Sequence, residues 1–215
     1  MKNILILSIA IVITGCLSSC KKDEATENTP ITYANFSQLK TGNYWIYERF
    51  TVDSAGAAVA TGILDSCYIE TDTLINNHTY YKLISPNPYG ILPEISFLRD
   101  SLHYTVTSNG QIIFSSQNFT DTFDQHFVTA GADTVCFYFT KMADKDYIVN
   151  TPLGAFKTYS NKTTFLMYPN WANAGNPRYT DTRYAENVGI VSVTFPFFQS
   201  NPNFTQRRLV RYKVN

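Results

Sequence analysis

Charge is scarce in this chain. Lys, Arg, Asp and Glu make up 16% of its 215 residues, and 17 basic side chains meet 17 acidic ones, for a formal net charge of +0 at pH 7. No basic patch of the size that nucleic-acid binding needs is present, so that role is excluded. Only three histidines and four cysteines occur, and neither Cys67 nor Cys136 has a neighbouring His or Cys at metal-ligand spacing, so zinc is not expected. The chain lacks a G-x-S-x-G elbow, an H-E-x-x-H pair and a Gly-rich phosphate loop, and with them the usual marks of a hydrolase or nucleotide enzyme. Asp121, Asp124 and His126 lie close in sequence, but their order matches no known metal site, and the TDTFDQH segment reads as a polar turn. Long helix-period segments, internal repeats and a second linker are also missing, which points to one non-helical domain. The longest apolar run, residues 4–13 (ILILSIAIVI), is too short to span a bilayer.

That run follows Lys2 and precedes small residues, the order of a signal peptide. Leu17-Ser18-Ser19-Cys20 resembles the lipobox of bacterial lipoproteins, in which the cysteine becomes the mature N-terminus and carries acyl chains such as palmitate. Ile13-Thr14-Gly15-Cys16 has a similar form. The charged Lys21-Lys22-Asp23-Glu24 that follows Cys20 begins a polar linker, however, and selects Cys20 as the lipidated residue. The same charged string resembles the signal that sends lipoproteins of Bacteroidota to the outer leaflet of the outer membrane. It implies the cell surface, with the periplasmic face as the alternative. Each buried methylene contributes roughly 0.8 kcal/mol, and two or more chains give stable attachment where one does not. The expected organisation is a signal peptide over residues 1–19, a lipid-anchored flexible tether over 20–32 and a single β-domain over 33–215.

Within that domain the composition favours strands: aromatics reach 15%, and Thr, Tyr, Phe, Val and Ile fit a pleated, half-buried surface. Period-two segments recur between turn residues. Asn76-Asn77-His78 tolerates left-handed backbone, and Asn109-Gly110 is the strongest short hairpin signal. Residues 168–182 (YPNWANAGNPRYTDT) read as a turn-rich loop too polar for a strand. In the last segment Val210, Tyr212 and Val214 share one face, and Arg207, Arg211 and Lys213 form a basic row expected to be solvated. The expected fold class is all-β: an antiparallel sandwich, open barrel or half-barrel of about ten strands.

Three segments in order, Gly42-Asn43-Tyr44-Trp45-Ile46-Tyr47, Thr151-Pro152-Leu153-Gly154-Ala155-Phe156-Lys157 and Tyr184-Ala185-Glu186-Asn187-Val188-Gly189-Ile190-Val191, together resemble a group of uncharacterised lipid-anchored β-rich envelope lipoproteins of Bacteroidota. That group carries G-N-x-W-x-Y, T-P-A-G-T-F-K and Y-A-x-x-V-G-L-V at these places. The resemblance implies a β-rich envelope domain and no activity. The motifs read as structure, with Gly42, Gly154 and Gly189 at tight turns or close approaches and Trp45, Tyr47 and Phe156 in packing.

The best binding candidate is the aromatic loop carrying Tyr168, Trp171, Asn173, Arg178 and Tyr179, where rings stack on sugar faces and polar groups meet hydroxyls; otherwise Trp171 folds back to cover the core. Ser54, Thr73, Ser101 and Thr134 each follow Asp and precede an aliphatic or small residue, resembling the O-glycosylation acceptor of Bacteroidota envelope proteins; strand and turn starts give the same dipeptides. Cys67 and Cys136 lie in apolar strand patterns, compatible with a disulfide in an oxidising compartment or with two buried thiols. The expected function is a non-catalytic surface lipoprotein that binds or scaffolds a glycan or a protein, with the membrane as partner and no cofactor. The alternative is a carrier of lipid or another hydrophobic ligand in a half-barrel cavity, and an exported hydrolase comes third. A recognition module calls for a filled core with aromatics outside, a carrier for an apolar cavity of ligand size, and a hydrolase for a histidine near Ser and Asp in a cleft.

Overall fold

Short turns set the path of the chain. Asn76 and Asn77, at φ 48° and 61°, join β2 (Ala58–Ile75) to β3 (His78–Ser85) in a two-residue hairpin with Ile75 opposite His78. Asn109-Gly110, with Gly110 at φ 86°, turns β5 (Tyr104–Thr107) into β6 (Ile112–Ser115). The other strands are β1 (Tyr44–Val52), β4 (Glu94–Ser101), β7 (Asp124–Ala130), β8 (Asp133–Thr151), β9 (Gly154–Met167), β10 (Arg178–Ala185), β11 (Gly189–Pro196) and β12 (Phe204–Lys213), with a 3-10 helix over Pro169–Ala174. The computed structural model describes residues 31–53, 55–87, 92–196 and 204–215. The leader, Cys20 and Ser54 lie outside the described residues.

All twelve strands form one antiparallel sheet in the order β6-β5-β4-β3-β2-β1-β12-β11-β10-β9-β8-β7. The chain meanders, and its first and last strands pair along their length, Trp45 opposite Tyr212 and Phe50 opposite Gln206. Among the described strands only β6 and β7, neighbours in sequence, do not pair. The sheet nevertheless curls until its two ends approach: Asn161 of β9 donates its side-chain amide to the carbonyl of Ile113 in β6, and Ser115 of β6 packs on Met142 of β8. The architecture is an open barrel, one of the all-β alternatives expected, and not a two-sheet sandwich.

One main cluster fills part of the interior: Trp45, Tyr47, Cys67, Ile69, Val188, Val191 and Leu209, with Phe156 and Ile190 against it. The three motif segments therefore meet in one place. Trp45 donates its indole N–H to Val188 O at 2.6 Å, and a Cβ on Gly189 would lie 3.0 Å from that indole nitrogen. Gly189 also sits at φ 98°, so both space and backbone require glycine there. Residues 33–43 close one end of the barrel. Phe36 stacks on Tyr159 at 4.7 Å, Asn187 N donates to Asn35 O at 2.8 Å, and Ile69 N donates to Asn43 O at 2.8 Å.

Three features depart from the sequence expectation, and one long strand carries a bulge. The TDTFDQH segment runs into an edge strand, β7, whose Phe127 is 64% exposed. Strand β8 is interrupted by a register shift between Ala143 and Tyr147. Asp144 and Asp146 take up that bulge at positive φ and are held by Arg183 and Lys157. Residues 178–182 open β10, because their partners on β9 satisfy the backbone that their polar side chains seemed to leave open. The register shift opposite Ile46 and Tyr47 skips Val210, so Arg207 shares the inner face with Leu209 and is 5% exposed. The basic row is thus solvated only at Arg211 and Lys213, since a bulge reverses the facing of everything beyond it.

Candidate functional site

The inner faces of β1–β5 and β10–β12 do not fill the space they enclose. A cavity of about 370 Å³ remains, within the range of roughly 300–1,000 Å³ typical of small-molecule sites. Its polarity changes along the strands. Toward the end closed by residues 33–43 the walls are Leu39, Trp45, Ile69 and Ile190; toward the other end they are Ser85, Glu94, Phe195 and Arg207. Leu83, opposite Ile69, and Leu98 extend the apolar wall, with Ser96 opposite Leu83 on β4. Cross-strand register places each of these side chains: Trp45 lies opposite Cys67, and Ser85 opposite Glu94.

The polar level is built on Asp65, which is 4% exposed. Its carboxylate accepts from Arg207 Nε at 2.5 Å and from Arg49 Nε and Nη2 at 2.7 and 2.8 Å. Arg207 also donates from Nη2 to Pro86 O at 2.9 Å and lies over the Phe195 ring. Charge-assisted bonds of this kind satisfy groups that would otherwise be buried at a cost of several kcal/mol each. Beside them burial pushes the Cys67 thiol up to about 12, with Arg207 acting the other way and Asp65 and Glu94 reinforcing the rise. The Tyr47 hydroxyl, which donates to Ile190 O at 2.9 Å, is held well above its ordinary value, chiefly by burial. Neither group is poised to ionise at neutral pH.

The residues singled out from sequence fall elsewhere and do not assemble. Trp171 turns into the domain against Val135, Cys136 and Met167, and Arg178 is 2% exposed with Phe204 below its guanidinium. Tyr168 and Tyr179 are exposed, Tyr179 under Lys162, and Asn173 is exposed on the 3-10 helix. Thr73, Ser101 and Thr134 are half-buried in β2, β4 and β8. Cys67 and Cys136 are free thiols in separate clusters, so the disulfide left open by the sequence is not formed. Asp124 and His126 pair at 2.9 Å, and Tyr138 donates to Asp124.

His103 Nδ1 lies 2.9 Å from Ser115 Oγ. Ser115 is fully buried and its oxygen already accepts the backbone N–H groups of Gln117 and Asn118. That oxygen caps a turn, and among the described residues no carboxylate is seen to orient the imidazole as a triad requires. The grouping of Arg207, Asp65 and Arg49 at one end of the cavity had no signal in the sequence, because the three are far apart in the chain and adjacent only through strand pairing.

A scan against protein-family models and a search of curated proteins each give no match. Among solved structures the chain is similar to a Bacteroides fragilis NCTC 9343 protein described as exported and as having a YmcC-like fold. The TM-score is 0.50 and the identity 16%, over 84% of this chain and 100% of that one. A Parabacteroides distasonis ATCC 8503 protein described as a lipoprotein aligns at TM-score 0.46 and 12% identity, over 85% of this chain and 100% of that one. At 16% identity the first likeness is one of fold: an all-β antiparallel sheet with almost no helix.

Proposed function

We propose that this chain is a non-catalytic, lipid-anchored envelope protein that holds a hydrophobic ligand inside its open barrel. The observation that carries the reading is the apolar cavity of about 370 Å³ at the centre of the curled sheet. A folded core of this size ordinarily packs without such a void, because each unfilled space forfeits contact energy. The Leu17–Cys20 string supports the anchor, and the description of the Bacteroides fragilis protein as exported supports an envelope location. Lys21–Glu24 favours the outer leaflet of the outer membrane. The inward turn of Trp171 and the burial of Arg178 favour the cavity over the Tyr168–Tyr179 loop as the place where a ligand sits.

The anchor is tested by the mass of the mature chain isolated from membranes: acyl mass on Cys20 is expected, and an unmodified Cys20 contradicts it. The cavity is tested with N-phenyl-1-naphthylamine, an uncharged dye that brightens in apolar surroundings. The full-length chain should bind one dye saturably, and Ser96→Trp, which places an indole in the cavity wall, should abolish binding without lowering the melting temperature by more than a few degrees. Absent dye binding, or binding indifferent to Ser96→Trp, contradicts the reading.

A further inference from the structure

Arg207 lines the cavity, and the buried charge cluster behind it is unbalanced. Arg49 pairs in register with Arg207, and Tyr47 with Asp65, so the three charged groups face inward at neighbouring levels of β1, β2 and β12. Two guanidiniums share one carboxylate, Arg207 and Arg49 both reaching Oδ2 of Asp65. One positive charge is therefore in excess. Arg207 is 5% exposed and is held by Asp65, Pro86 O and the Phe195 ring, so its plane is fixed before any ligand arrives. The acidic side chain that does line the cavity, Glu94, is exposed, and water screens its charge far more than it screens the buried pair. A neutral ligand gives no reason for this arrangement, because apolar residues of equal volume would fill the same wall at lower desolvation cost. A fixed guanidinium fork beside an apolar channel suits an anionic oxygen group on an apolar chain.

Resting on the cavity reading, we infer that the ligand is a single-chain amphiphile with an anionic head. The head, a carboxylate or a phosphate monoester, lies at Arg207, whose partner Asp65 is also held by Arg49. The acyl chain runs along Leu83, Ile69 and Leu98 toward Leu39, where residues 33–43 close the barrel. The full-length chain carrying Cys20→Ser, so that no acyl group of its own competes, is loaded with N-phenyl-1-naphthylamine. Hexadecanoate, palmitoyl lysophosphatidate and the neutral 1-monopalmitoylglycerol then displace the dye. The anions should compete about tenfold or more better than the neutral ester, the worth of one charge-assisted contact, and the better of the two identifies the head group. Arg207→Gln should erase that preference. Because losing Arg207 breaks a buried pair and can unfold the chain, Arg49→Gln serves as the second variant: its side chain is 26% exposed, and its loss leaves Arg207 on Asp65 while removing the excess positive charge behind it. Dye binding retained with equal competition by acid and ester, or a preference unchanged in Arg49→Gln, overturns the inference and leaves the cavity reading standing. No dye binding at all overturns the cavity reading itself.

Discussion

Cys67 and Asp65 stand two residues apart on the inner face of β2, and only Asp65 has charged partners. Asp65 accepts hydrogen bonds from two arginines. The Cys67 thiol has no comparable donor set, and burial pushes it up to about 12. In the unfolded chain a thiol ionises near its ordinary value of 9.0, so above that pH the unfolded state gives up a proton that the folded state retains. The stability owed to this group is complete below about pH 9 and is lost as pH rises toward about 12. Tyr47 and Tyr184, both raised by burial, add to the loss above pH 10. Urea unfolding should therefore show stability falling between pH 9 and 10.5, by up to about 1.4 kcal/mol per unit for each group. Cys67→Ala should flatten that slope whatever it does to stability at pH 7, and a slope unchanged by Cys67→Ala contradicts the assignment.

Turn chemistry made much of the strand pattern legible. Asn76-Asn77 and Asn109-Gly110 needed backbone that only a few residues adopt readily, and both hairpins form where those residues stand. Strands with one buried face, β1 and β3 for example, also announced themselves by composition. Edge strand β7 did not: Phe127 and Val128 are both exposed, and no alternation marks a core face. Residues 178–182 were illegible for the opposite reason, since Arg178 is polar by type and buried by tertiary pairing. The skipped residue in β12 mattered most for the candidate site. Nothing in a period-two pattern marks which position a bulge omits, and omitting Val210 moved Arg207 from the solvated row to the cavity wall.

The class of the whole molecule followed from alternation and turns, but its hollow centre did not. Whether twelve strands close over a filled core or over a space depends on curvature and on side-chain volumes summed across strands distant in sequence. Here the sheet curls without closing between β6 and β7, the N-terminal residues 33–43 block one end, and the apolar walls stop short of meeting. The chain has two tryptophans, which lie in different places: Trp45 lines the cavity, and Trp171 packs beside Val135 and Cys136. Trp171→Phe leaves Trp45 as the sole indole emitter, and a fatty acid brominated along its chain quenches indole only on contact. Titrating that variant with 9,10-dibromostearate should quench Trp45 emission saturably at one ligand per chain. Emission from Trp45 that stays constant, or that falls linearly without saturation, contradicts an acyl chain held within the barrel.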